Sequence, residues 1–64
     1  MFDDNTYNLM AQLAEEHKSL WRIKEYYKKD ASNCPECLAF WDFLEKDKED
    51  HIQKLGEILK KHIK

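Results

Sequence analysis

The chain carries two long segments in which apolar residues recur at the three- and four-residue steps of a helix, separated by one proline-containing turn. In the first segment these steps connect Leu9, Met10, Leu13, Ala14, Leu20, Trp21, Ile23 and Tyr27. In the second segment they run through Leu38, Trp41, Leu44, His51, Ile52, Leu55, Ile58, Leu59 and Ile63. The spacing predicts one helix over about 4–30, a turn over about 31–34 and a second helix over about 35–63.

The residues between the two segments favour a tight turn. Residues 30–33 are Asp, Ala, Ser and Asn, a group rich in side chains that favour turns. Pro35 cannot lie inside a helix, but it suits the first helical turn. We therefore expect an all-α fold, in which residues 1–64 form a single domain and the two helices fold back as an antiparallel hairpin.

The position of the turn sets which residues face each other across the hairpin. If the centre lies near residue 34, the numbers of facing residues sum to about 68 in such an antiparallel pair. Leu13 then faces Leu55, and Tyr27 faces Trp41. Gly56 lies inside the second helical pattern, where it costs about 1 kcal/mol relative to Ala, so we expect a close contact between helices there.

The apolar stripes on both helices are wider than one hairpin can bury. A single helix–helix seam uses two positions per heptad, whereas the interior of a bundle uses about three. A chain of 64 residues is also short for a stable core without a metal, a disulfide or a partner. These features predict a homodimer in which two hairpins form an antiparallel four-helix bundle.

Charge and composition narrow the possible partners and the location. The net charge of −2 argues against a nucleic-acid binder, and no apolar run is long enough to cross a bilayer. The first four residues lack the blocks of a signal peptide. We expect a cytoplasmic protein, in which a close cysteine pair is more often metal-binding or redox-active than structural.

The motif Cys34-Pro35-Glu36-Cys37 is the feature that carries chemistry. Two thiols at this spacing suit one metal ion or a disulfide, and the start of a helix favours thiolate over thiol. Zinc normally takes four ligands, but His51 is about 21 Å from Cys37 along a helix, so other ligands must come from a second chain or solvent. We expect Cys34 to be the more reactive thiol because it caps the helix in solvent, whereas Cys37 faces the neighbouring helix. The alternative is that both are only capping residues.

This motif at a hairpin tip resembles the zinc hook of the coiled-coil DNA-repair ATPases. The resemblance covers the four residues 34–37 and their hairpin context, and it implies zinc shared between two tips, with Cys34 and Cys37 of each chain as ligands. A CPxC motif at a helix start also looks like the active site of thioredoxins and glutaredoxins. Those proteins need a sheet with βαβ units, and this chain has no strand signal.

Two histidines and two acids give a second candidate metal site. His17 and His51 should face each other halfway along the hairpin, with Glu16 and Asp47 beside them. Such a set resembles half of a ferritin-like or rubrerythrin bundle, which implies a di-iron centre and oxidoreductase activity, although Lys48 stands where a ligand belongs. The alternative is a hydrogen-bonded histidine pair that sets the register.

The sequence therefore leads to three hypotheses. The first is a small cytoplasmic assembly module, not an enzyme, whose tip binds a metal, zinc before iron, between chains or forms a redox-sensitive disulfide. The second is a di-iron or other oxidoreductase bundle that uses the histidines. The third is a plain protein-interaction module without chemistry.

Overall fold

The computed structural model describes residues 3–62 and is all-helical over that range. Helix α1 spans Asp4–Arg22 and continues without a break into a π-helical segment, Ile23–Tyr27, and a short helix α2, Lys28–Asp30. Helix α3 spans Pro35–His62. We call residues 4–30 the first arm and α3 the second arm. The prediction of an all-α fold with two helices is confirmed, and the expected helix end near residue 63 lies outside the described residues.

Local hydrogen bonds explain where the arms begin and end. The Asp3 carboxylate caps α1 by accepting the N–H of Thr6 at 2.8 Å, and this bond holds the pKa of Asp3 below its ordinary value. In the turn, the N–H of Ala31 donates to the carbonyl of Tyr27, and the N–H of Cys34 donates to the carbonyl of Ala31. These bonds satisfy backbone groups that the end of the first arm leaves free.

Contacts between the arms define an antiparallel register. The rings of Tyr27 and Trp41 lie 4.9 Å apart between centroids, so this expected facing pair is in contact. Lys28 Nζ lies 2.6 Å from Asp42 Oδ1 and 2.7 Å from Glu45 Oε1. The two carboxylates, Asp42 first, raise the pKa of Lys28 to about 12. The turn end of the hairpin is therefore held by one aromatic contact and one cation shared by two acids.

The apolar core is a narrow seam between the two arms. Ile23 is 1% exposed and Leu59 is 7% exposed, whereas most other seam residues are only half-buried. Large apolar side chains remain exposed at Tyr7, Met10, Trp21, Tyr26, Tyr27, Phe40, Phe43 and Ile58. Each arm thus buries one line of side chains against the other arm. The remaining apolar side chains are not covered by any other part of the described chain.

The π-helical segment widens one turn of the first arm. The N–H of Lys28 donates to the carbonyl of Ile23, five residues earlier, instead of to the residue four earlier. Residues five apart therefore share a face here, and the rings of Trp21 and Tyr26 pack edge to face at 5.1 Å between centroids. The sequence pattern predicts a continuous α-helix over this range and misses the wide turn.

Gly56 does not lie at a close helix contact. A Cβ atom placed on Gly56 meets nothing within 4 Å apart from the glycine's own chain neighbours and helix backbone, so the expectation of a close approach there is wrong within this hairpin. We predict that Gly56→Ala raises the free energy of unfolding by about 1 kcal/mol, because Ala loses less conformational freedom in a helix. Urea denaturation followed by circular dichroism measures the change.

The reverse substitution in the same helix is the matched control. Ala39 is exposed, and Ala39→Gly should lower the free energy of unfolding by about 1 kcal/mol. A loss of stability in Gly56→Ala would contradict the open space seen beside this glycine.

Candidate redox site at the tip of the hairpin

The two cysteines are joined as a disulfide at the start of the second arm. Cys34 immediately precedes α3, and Pro35 and Glu36 form its first residues. The ring of Pro35 fixes its φ angle near the helical value. Its missing N–H costs no hydrogen bond, because the first residue of a helix has no helical carbonyl to donate to. One helical turn then brings Cys37 back beside Cys34, with 5.2 Å between the two Cα atoms. The two sulfurs lie within bonding distance because α3 begins directly after Cys34.

The backbone of the same turn favours negative charge on Cys34. The N–H of Cys37 donates to Cys34 Sγ at 3.2 Å. Free N–H groups at the start of a helix also carry the positive end of the helix dipole. When the disulfide is reduced, both effects favour a thiolate on Cys34.

The exposure of the two cysteines is opposite to the expectation from sequence. Cys34 is half-buried, whereas Cys37 is exposed. Cys34 is held against the turn by its own N–H bond to Ala31 at 2.9 Å. Cys37 therefore offers the more accessible residue to an incoming reagent, and Cys34 is the better stabilised leaving group. A low-energy thiolate leaves faster in thiol–disulfide exchange.

An open groove runs beside the disulfide. Its first part has a volume of about 300 Å³ and is lined by Tyr27, Asp30, Ala31, Cys34, Cys37 and Trp41. An adjoining part of about 360 Å³ is lined by Glu36, Cys37, Phe40 and Trp41. We call the two parts together the tip groove. The sequence analysis predicts that Tyr27 faces Trp41, but it does not predict a groove beside the cysteines.

A polar cluster lies halfway along the seam. The side chain of Glu16 is 8% exposed, and its carboxylate lies 2.7 Å from Lys48 Nζ and 2.9 Å from His51 Nδ1. Lys48 first, and then His51, hold the pKa of Glu16 below its ordinary value of 4.5 and outweigh the opposite effect of burial. Asp47 lies farther out, with its Oδ2 4.0 Å from His51 Nε2.

The expected facing pair of His17 and His51 is wrong. His17 is exposed, and Glu16 takes the seam position opposite His51. The reason is the helical repeat: Leu13, Glu16 and Leu20 are separated by three and four residues and share the seam, whereas His17 is rotated by about 100° from Glu16. The sequence indicated the correct level of the hairpin but the wrong neighbour.

The four residues of the di-iron hypothesis are not gathered into one cluster within this hairpin. Lys48 places an ammonium group beside Glu16, and His17 lies on another face. Within residues 3–62, no group of three or more Cys, His, Asp and Glu side chains could hold a metal ion. The Cys34–Cys37 pair by itself supplies two sulfurs, and here they are bonded to each other.

Comparisons with known proteins provide no family. No protein-family model, curated protein or solved structure matches the chain. In the part of the chain described, no helix combines the length and the apolar character needed to cross a membrane.

The lowered pKa of Glu16 predicts an acid-sensitive fold. Because the folded value lies below the ordinary 4.5, this group stabilises the fold above that pH and loses its contribution as the pH falls through the folded value. We expect Glu16→Gln to lower the free energy of unfolding by about 1–3 kcal/mol at pH 7 and to reduce its decline below about pH 4.5. Urea denaturation at a series of pH values measures both effects.

Glu15→Gln is the matched control. The side chain of Glu15 is exposed, and its one ion pair among the described residues is with the exposed Lys18, at 3.5 Å between Oε1 and Nζ. The substitution should change the free energy of unfolding by less than about 0.5 kcal/mol. Equal effects of the two substitutions would argue against the buried cluster.

Proposed function

We propose that this protein is a redox-responsive helical assembly module whose Cys34–Cys37 pair cycles between disulfide and dithiol. The observation that carries the proposal is the geometry of the tip: an exposed Cys37 is bonded to a Cys34 whose sulfur accepts the N–H of Cys37 at 3.2 Å. A disulfide stabilises a fold mainly by constraining the unfolded chain, and the effect grows with the length of the loop that it closes. A bridge that encloses only Pro35 and Glu36 constrains very little chain, so its chemistry is the better reason for it.

The chemical cycle needs only thiols and disulfides. An incoming thiolate attacks Sγ of Cys37, the bond between the two protein sulfurs breaks, and Cys34 leaves as a thiolate. A second thiolate then attacks the sulfur of the first incoming thiol. The incoming thiols leave joined as a disulfide, and the protein gains two electrons and two protons. A reducing compartment such as the cytoplasm would keep the pair largely as dithiol and allow it to respond to oxidation.

Zinc binding at the tip is the second candidate function. Reduction exposes two sulfurs at the end of an elongated molecule, 48 Å long and at most 15 Å wide. Two such tips would supply the four thiolates that zinc takes in structural sites. This candidate is favoured by the terminal position of the cysteines, and it shares the dithiol state with the redox cycle.

Assembly is the other half of the proposal. Within residues 3–62, eight large apolar side chains are exposed, among them Trp21 at 54% and Phe43 at 62%. Tyr7, Ala14 and Trp21 are spaced by seven residues on α1, so they follow one face of that helix. Apolar surface of this extent favours a second copy, and four arms would form the bundle that two arms leave incomplete.

The redox proposal predicts a reversible two-thiol transition. In buffers ranging from reduced to oxidised glutathione, we expect two free thiols per chain at the reducing end, none at the oxidising end, and an intermediate midpoint. Alkylation followed by mass spectrometry counts the thiols. Cys34→Ser and Cys37→Ser should each retain one thiol and accumulate a mixed disulfide with glutathione, because the resolving partner is missing.

Two results would contradict this cycle. A disulfide that persists in excess reduced glutathione would be structural. Zinc at about half an equivalent per chain, which blocks alkylation and doubles the mass of the reduced protein, would assign the pair to a metal shared between tips.

The assembly proposal predicts a concentration-dependent mass and melting temperature. Light scattering at micromolar concentration should give at least twice the 7.8 kDa of one chain, and the melting temperature should rise with concentration. The double substitution Trp21→Glu with Phe43→Glu should reduce the mass to one chain by charging the exposed apolar surface. Asn8→Glu, at an exposed position of α1 rotated by about 100° from Tyr7, should leave the mass unchanged. A folded wild-type monomer would end the proposal.

A further inference from the structure

The tip groove combines aromatic walls with acidic ends around the exposed cysteine. Tyr27 and Trp41 line the first part with Asp30, and Phe40 lines the second part with Glu36. Cys37 and Trp41 belong to both parts, so the disulfide lies where they meet. A molecule that approaches Cys37 through either part therefore meets aromatic side chains and one carboxylate.

Among the described residues, no basic side chain forms an ion pair with these two acids. The described lining contains no Lys or Arg. Lys28 is the cation of the nearby seam, and it is held by Asp42 at 2.6 Å and Glu45 at 2.7 Å. Asp30 and Glu36 are both exposed and, on the described residues, face solvent. In the described hairpin, the groove therefore presents two carboxylates without a paired side-chain cation beside the disulfide.

We infer that the thiol substrate of this disulfide is a peptide segment whose cysteine is flanked by basic residues. The inference rests on the proposed redox function and names its substrate class. Basic side chains complement Asp30 and Glu36, and a Lys or Arg over the face of Trp41 or Phe40 gains a cation–π contact. The same basic neighbours favour the thiolate form of the substrate cysteine, which is the attacking species.

The exchange step balances within this pair of reactants. The peptide thiolate attacks Sγ of Cys37 and forms a mixed disulfide, while the electron pair of the broken bond leaves on Cys34. A second peptide thiolate attacks the sulfur of the first peptide. The two peptides leave as a disulfide, and the protein is left as a dithiol after it takes up two protons.

The test compares blocked pentapeptides that differ only beside a central cysteine. One peptide carries two lysines next to the cysteine and the other carries two glutamates. The rate of disulfide reduction is followed by alkylation, and each rate is divided by the rate of the same peptide with hydroxyethyl disulfide, which removes differences in intrinsic thiol reactivity. We expect the basic peptide to react about tenfold faster after this correction, and the ratio to fall at high salt.

Charge variants assign the preference to the groove. Asp30→Asn with Glu36→Gln should reduce the ratio to less than about threefold, since both carboxylates are removed. The double control Glu15→Gln with Glu57→Gln also removes two negative charges, but these lie more than about 20 Å from Cys37 along the arms. The control should keep the full preference.

Three results would overturn the inference. The first is an equal corrected rate for both peptides, and the second is a preference that the groove variants leave unchanged. The third is a rate of disulfide reduction by the basic peptide that falls as the protein concentration rises. This would indicate that a second copy of the chain occupies the groove. A parallel reaction with dithiothreitol separates the two proposals: if the disulfide resists dithiothreitol, the redox function itself fails, whereas normal reduction without peptide preference rejects only the substrate class.

Discussion

The structure depends on one seam between two helices, and a buried carboxylate determines how that seam is aligned. Glu16 is almost enclosed, and across the seam it is paired with Lys48 and lies within hydrogen-bond distance of His51. A shift of the second arm by one helical turn would move both partners about 5 Å away and leave a buried negative charge unpaired. Half-buried leucines tolerate such sliding far better. The apolar residues hold the arms together, and the polar cluster selects the alignment.

That alignment also builds the tip. When Glu16 meets Lys48, Tyr27 lies against Trp41 near the turn, and this contact forms the aromatic wall beside the disulfide. Lys28 on the first arm stabilises the same end of the hairpin through its ion pairs with Asp42 and Glu45 on the second arm. Chemistry at the cysteines is therefore tied to packing at the middle of the hairpin, although no residue of the polar cluster touches a sulfur.

The sequence predicts the helices and the cysteine turn because both depend on local rules. Three- and four-residue spacing identifies the arms, and proline after Cys34 identifies a helix start. Two of the errors concern rotation about a helix axis, which local rules do not determine. His17 and Glu16 are adjacent, and only the contact with His51 shows which one enters the seam. The predicted exposures of Cys34 and Cys37 are reversed in the structure for a similar reason, because the turn covers Cys34 and leaves Cys37 exposed.

The wide π turn corrects the phase of the first arm. The seam positions up to the first residue of this turn follow alternating steps of three and four: Thr6, Leu9, Leu13, Glu16, Leu20 and Ile23. The next seam position is Lys28, which comes one residue later than this pattern predicts. An extra residue in a regular helix would rotate everything beyond it by about 100°. Here the widened turn absorbs that residue locally. The apolar repeat before the turn and the repeat after it can therefore be out of step in sequence and still face the same partner helix. Residues near the tip thus keep their contacts with α3 whatever the number of regular repeats that precede the turn.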